Sequence, residues 1–398
     1  MNVKQVVKKH YCLGCGLCSS DVGSEKLQMV EQQDGFLVPV PQQTFDGEIS
    51  WLQKYCPGIT VHLNQTLQTR IEKFYGPLLD IKVGYANDET IRFRGSSGGC
   101  LTAILCALLE QGKIDGVLQA GPSKAFPTKT EGFFSKRVEE IIANAGSRYA
   151  PVSLLVNLKQ ILDENNRIAV IGKPCDITAV RQYLDVHPEY SEKVFCTLSF
   201  MCMGLPSQNA TNRLVRKLGI ENVEQVKEIK YRGSGWPGEA TVTTKQNEKY
   251  SCSYHDSWGK ILGRDVLFRC KICPDGWGSF ADISSGDAWY HDGKGPMFDE
   301  KPGRSFLLIR SQKGKEIISA ILDSITLADY DIRDLPIIQK SQHSRKNRAW
   351  SSYLVLKIIG DRLLKFKGLG MWDRIFHGSP ISIAKEVYGL IKRLYRIK

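Results

Sequence analysis

The sequence predicts an α/β fold: a cysteine-rich N-terminal segment, a body with a mostly parallel sheet, and a C-terminal basic helical tail. Three observations predict it. Cys12, Cys15 and Cys18 stand within a seven-residue stretch that has little hydrophobic periodicity around it. From residue 71 onward, short apolar runs alternate with amphipathic helical ones, as in strand–helix–strand units. Residues 339–398 then hold 14 Lys and Arg against three Asp and Glu, so nearly all of the net charge of +12 is local to this tail.

A length of 398 residues points to several domains, divided here as 1–70, 71–150, 151–338 and 339–398. Apolar residues make up 42% and charged ones 24%, which excludes disordered and collagen-like chains. Met1–His10 is polar and basic, with no apolar core of a secretory signal. The longest uncharged apolar stretch, Ser96–Leu109, ends at Glu110, short of the roughly 18–20 residues a membrane span needs. A cytoplasmic protein is expected. Twelve cysteines in a reducing compartment favour metal or redox chemistry over disulfides.

Within the body, Ile81–Tyr85 reads as a strand. The turn Gly95-Ser96-Ser97-Gly98-Gly99 follows, then a helix with Leu101, Ile104, Leu105, Leu108 and Leu109 on one face. Gly112 suits the position just past that helix, before the apolar run Gly116–Ala120. Arg167–Gly172 and Val194–Met201 read as buried strands and Asp176–Leu184 as a short helix. Ser207 can cap a helix reaching Leu218. Lys230–Asp287 is turn-rich and more β-like. In the tail, Ile383, Val387, Leu390, Ile391, Leu394 and Ile397 form one helical stripe, opposite Lys385, Lys392, Arg393 and Arg396. Trp350–Lys367 repeats that pattern less tidily. Such a face fits the anionic inner surface of a membrane, or packs its stripe on the body with the charges solvated. No stacking platform or recognition motif accompanies the charge, so nucleic acid is not an expected partner.

Cys12-Leu13-Gly14-Cys15-Gly16-Leu17-Cys18 brings three thiolates onto one tight loop, the ferredoxin-like way of wrapping a [4Fe–4S] cluster. Where bacterial ferredoxins place a further cysteine for a second cluster, this chain has Val22, so the loop serves one cluster. Cys56, followed by Pro57, is the candidate fourth ligand. The alternative, a four-cysteine zinc site, usually comes as two separated C-x2-C knuckles.

Cys175 and Cys202 each lie just past the carboxyl end of a predicted strand, where open α/β sheets collect ligands. Cys270 and Cys273 add a C-x2-C pair. These four make either a second cluster, or a zinc knuckle with two core cysteines. Cys100, Cys106 and Cys196 read as core residues, and Cys252 has no assignment. Ser96-Ser97-Gly98-Gly99 stands before a helix whose free N–H groups suit a phosphate, or else forms a tight turn with a serine cap.

Taken in order, these motifs resemble the coenzyme F-420 hydrogenase/dehydrogenase beta-subunit family, from about Tyr11 to about Leu322. The matching stretches are the Cys12–Cys18 loop with Cys56-Pro57, Ser96–Gly99, Ser147-Arg148-Tyr149, Gly172-Lys173-Pro174-Cys175-Asp176 and Phe200–Gly204. Cys270–Pro274, Ser279–Ile283 and Gly286–Trp289 complete the set. The resemblance implies an α/β flavin-binding body with bound FAD. It implies cofactor contacts at Ser96, Ser97, Gly98, Gly99, Arg148, Tyr149, Pro174 and Gly204, and a second [4Fe–4S] cluster on Cys175, Cys202, Cys270 and Cys273. Lys173 and Asp176 depart from the family's usual Thr and Gln beside the flavin, which bears on whether a deazaflavin coenzyme is used.

The expected function is a flavin-dependent iron–sulfur oxidoreductase. Electrons would pass between a ferredoxin-like or deazaflavin carrier and a small organic substrate, with a place in cell-surface polysaccharide synthesis. Lys173, Asp176 and Asp287 are its candidate proton donors. Two alternatives stand beside it: a non-catalytic electron-transfer subunit of a larger redox complex, and a cluster-stabilised scaffold without flavin.

Overall fold

Apolar runs buried on both faces form an eight-stranded sheet. In chain order its strands are β1 Asp80–Ala86, β2 Gly116–Pro122, β3 Thr130–Ser135, β4 Ile168–Gly172, β5 Val194–Phe200, β6 Ile283–Asp287, β7 Ser305–Ile309 and β8 Ile325–Asp329. They lie in the order β8-β1-β7-β6-β5-β4-β2-β3. The computed structural model describes residues 1–375 and 377–397, the side chains of Arg396 and Ile397 excepted, so the predicted places of those two side chains fall outside the described residues.

The central strands β6, β5, β4 and β2 pair in parallel. Antiparallel pairing adds β3 at one edge and β7, β1 and β8 at the other. Strand β1 runs with the central four, so the carboxyl ends of β1, β2, β4, β5 and β6 share one edge of the sheet. Successive residues then face opposite ways. Val117 and Ala169 pack with α1 (Cys100–Glu110) and the helix Gln312–Ala320. Leu118, Ile168 and Val170 pack with α2 (Pro174–Leu184) and the helix Leu158–Glu164. Three layers result. Cys100, Cys106 and Cys196 are buried in the first core, as core cysteines should be.

Ser207 accepts the N–H of Ala210 and caps α3 (Gln208–Lys217). This helix covers a separate antiparallel sheet of Val226–Lys230, Glu239–Thr244 and Lys249–Ser253, the β-like portion of the sequence.

The described residues of 339–398 are packed on the body. Lys365–Lys367 pairs in parallel with Thr60–His62. Ala349, Leu356, Leu364, Phe366 and Leu390 share a core with Val3, Val6, Tyr11, Leu27 and Leu52. The buried Tyr11 hydroxyl donates to Asp361 Oδ2 at 2.8 Å. The helices here are α4 (Lys340–Ile358) and α5 (Pro380–Ile397). On α5 the predicted division holds for Ile383, Val387, Leu390 and Leu394 on the covered side and for Lys385 and Lys392 on the exposed one, and needs correction at Ile391 and Arg393. Leu390 is buried, but Ile381, Ala384, Tyr388, Ile391 and Tyr395 are exposed along with Lys385 and Lys392. The reason is the partner surface: Glu386 of α5 lies between Arg348 of α4 and Arg393, which turns the charged Glu386–Arg393 side toward α4.

Candidate functional site

Gly14 and Gly16, at φ of +68° and +84°, fold the Cys12–Cys18 loop onto itself. A Cβ at Gly14 would lie 2.8 Å from the Leu37 carbonyl oxygen, so the close approach also demands glycine. Cys18 sits on the short helix Leu17–Val22, and Cys56 closes the helix Leu52–Tyr55. Cys12, Cys15, Cys18 and Cys56 together line one cavity of about 30 Å3, walled by Leu13, Met29, Trp51 and Pro57. Burial pushes the Cys12 thiol up to about 12 and raises Cys15, Cys18 and Cys56 as well. Peptide N–H groups oppose this: Gly14 donates to Cys12 Sγ at 3.4 Å, and Gly58 and Ile59 donate to Cys56. Four half-buried thiols round one cavity, met by backbone donors, have the ligand chemistry of an iron–sulfur cluster, although among the described residues no three His, Cys, Asp or Glu side chains are grouped closely enough to hold a single metal ion.

Cys175 lies in the first turn of α2, Cys202 just past β5, and Cys270 and Cys273 on and after the short helix Phe268–Lys271. All four line a second cavity of about 30 Å3, together with Lys173, Pro174, Gly204, Arg269 and Arg345. Burial raises Cys175 and Cys202, and pushes Cys270 up to about 12. This site also fits a cluster. Leu13 and Pro57 line both cavities and form a common wall between them. Buried Arg269 clamps that wall, donating to the carbonyls of Gly58 at 2.6 Å and Pro57 at 3.2 Å.

Lys173 Nζ meets Asp176 Oδ2 at 2.7 Å, both side chains buried. Burial works against the Lys173 charge, but the Asp176 carboxylate outweighs it and raises the ammonium pKa. Asp176 Oδ1 is buried without a hydrogen-bond partner. Asp287, at the end of β6, is two strands away from this pair. It receives Arg232 in a bidentate pair at 2.7 and 3.0 Å and Trp236 Nε1 at 2.8 Å. The three candidate proton donors thus fall into two groups.

The Ser96–Gly99 turn lies at the same sheet edge, beside Asp287. Gly98 donates to Ser305 Oγ at 2.9 Å, Ser97 Oγ is 2.8 Å from the same oxygen, and Ser305 faces Asp287 across β6 and β7. Ser96 Oγ accepts the N–H of Ser147 at 2.8 Å. Gly99, at φ of +75°, opens α1 without a side-chain cap. Arg148 spends its guanidinium on the chain itself, donating to Thr130 Oγ1 and the carbonyls of Pro127, Lys129 and Ile229. Tyr149 packs its ring on Tyr231 and Trp258. Sequence reasoning missed Arg232, Trp236, Arg269 and Arg345. The glycine-rich run Tyr231-Arg232-Gly233-Ser234-Gly235-Trp236-Pro237-Gly238 was a signal for the first two.

Two family models, for the N-terminal and the C-terminal parts of the "Coenzyme F420 hydrogenase/dehydrogenase, beta subunit", match residues 81–159 and 165–333. The chain belongs to the coenzyme F420 hydrogenase/dehydrogenase beta-subunit family. Among curated members it is similar to one of the subunits of F(420)H(2) dehydrogenase of Methanosarcina mazei, at 21% identity over 85% of this chain and 90% of the relative. It is also similar to the beta chain of coenzyme F420 hydrogenase of Methanothermobacter thermautotrophicus, at 23% over 72% and 97%. With the coenzyme F420-dependent sulfite reductase of Methanocaldococcus jannaschii it is 25% identical over 71% of this chain, but spans only 43% of that protein. A chain of the F420-reducing [NiFe] hydrogenase complex from Methanosarcina barkeri shares the fold, with a TM-score of 0.57 at 22% identity over 72% of this chain and 95% of that one. These relatives of the F420 beta-subunit family are oxidoreductases or oxidoreductase subunits.

Proposed function

We propose that this F420 beta-subunit family member is a redox subunit of a larger oxidoreductase, carrying electrons through two [4Fe–4S] clusters to or from FAD. The observation that carries the reading is the pair of four-thiol cavities sharing the Leu13–Pro57 wall. Cys12, Cys15, Cys18 and Cys56 would hold one cluster, and Cys175, Cys202, Cys270 and Cys273 the other. The names of the relatives favour the subunit reading over a self-contained reductase, favour a deazaflavin over a ferredoxin as carrier, and give no support to polysaccharide synthesis.

Bound FAD supplies the exchange between one-electron and two-electron transfer. The uncapped start of α1 offers backbone N–H groups to its phosphates beside the Ser96–Gly99 turn, where the Gly98 N–H is already taken by Ser305 Oγ. Lys173 with Asp176, and Asp287 with Arg232, are ion pairs at the same sheet edge, each fixed in place to orient a substrate, and the three residues stay the candidates for proton transfer to it. The hydrophobic Leu13–Pro57 wall excludes water between the two thiol sets. The exposed face of α5 is proposed to rest on an anionic membrane surface.

Protein purified without air is expected to be brown, to hold about eight irons per chain and to release FAD on denaturation. Cys56→Ala should remove about half of the iron. Unchanged iron in that variant would refute the first site, and a colourless, flavin-free protein would refute the function.

A further inference from the structure

The second cavity is closed by residues from outside the family-matched segment, which ends at residue 333. From α4, Gln342 Nε2 donates to the Cys202 carbonyl at 2.7 Å, and Arg345 Nη2 donates to the same oxygen at 2.6 Å. Lys346 Nζ donates to the Pro274 carbonyl at 3.2 Å. Gln342 and Lys346 are buried, and Arg345 lines the cavity itself. The Arg345 guanidinium, and the Lys346 amine whose pKa burial pulls down to about 8, are therefore placed against carbonyls of the loops that bear Cys202 and Cys273.

Burying a cation costs several kcal/mol unless an anion meets it. The nearby carboxylates are already engaged. Asp275 accepts from the backbone of Trp277, Gly278 and Ser279 and from the Ser279 hydroxyl. Asp176 is paired with Lys173. Neither Arg345 nor Lys346 has a salt-bridge partner among the described residues. The Asp275 carboxylate still meets Lys346 by its charge, with the Cys273 thiol beside it, while Arg345 lies against the thiol cavity itself. A cluster on four thiolates is anionic and gains another negative charge on reduction, and net charge is one of the levers on its potential.

We propose that Arg345 and Lys346 of α4 are positioning residues that raise the reduction potential of the cluster held by Cys175, Cys202, Cys270 and Cys273. The proposal rests on the two-cluster reading. Their charges stabilise the reduced state more than the oxidised one, whereas Gln342 pins the Cys202 loop without charge. The segment that supplies the basic tail is thus also part of a redox site.

The test is a redox titration of anaerobic protein followed by electron paramagnetic resonance, with Cys56→Ala identifying the second-site transition. Arg345→Gln should lower that transition alone, by about 59 mV if its reduced-to-oxidised ratio at fixed potential falls about tenfold. Arg345→Lys should restore it, and Lys346→Gln should act in the same direction. If Arg345→Gln loses iron, Lys346→Gln decides. Two clusters present in the parent with an unshifted second transition in the variants overturn the tuning role and leave the two-cluster reading standing. A parent without a second cluster overturns both.

Discussion

The guanidinium of Arg310, just past β7, donates to Ser284 Oγ and to the carbonyls of Tyr75, Pro77 and Trp277 at 2.7–2.9 Å. Burial lowers its pKa to about 10, with Asp275 opposing. Arg310→Met would leave four buried acceptors without a donor, so a loss of at least about 3 kcal/mol is expected in denaturant unfolding. A change below about 1 kcal/mol would mean that water replaces the arginine. Arg269 and Arg345 do the same work at the thiol cavities. The cysteines carried a readable signal, because ligand spacing is a local property of the chain. The arginines carried none: Arg269 meets Gly58 more than two hundred residues away, and a carbonyl partner leaves no mark in sequence.

Among elements, the strands ending at Gly172 and Phe200 and the helices after them were readable from apolar runs and caps. Strands β7 and β8 were not. Residues 288–304, between β6 and β7, contain no helix among the described residues, so the chain returns antiparallel where a strand–helix succession had been expected. Helix α5 was readable as an element and, but for Ile391 and Arg393, in its orientation. Ile381, Tyr388 and Tyr395 are 70%, 68% and 76% exposed, on the face that carries Lys385 and Lys392. Aromatic, aliphatic and basic groups on one surface suit the headgroup region of an anionic bilayer. No helix among the described residues is long and apolar enough to cross one. The chain should float with vesicles rich in phosphatidylserine and not with neutral ones, and Lys385→Glu with Lys392→Glu should abolish flotation. Equal flotation of parent and variant would end the proposal.

On the scale of the whole molecule, the charge run at 339–398 marks a surface, while the apolar residues within it complete a core begun by Val3, Val6 and Tyr11. Charge composition alone could not reveal this, since it reports which side chains meet water and not what lies beneath. A chain ended at Ile338 would expose that core and uncover the second cavity. It is expected to retain less than half of the parent's iron and to aggregate; a soluble truncated protein with full iron would contradict the shared core. The same arrangement imposes an order in time. During synthesis Cys175, Cys202, Cys270 and Cys273 leave the ribosome before Arg345 exists, so the second thiol set lacks part of its enclosure until α4 emerges. On the two-cluster reading, that interval is one in which iron would reach an open site before α4 covers it.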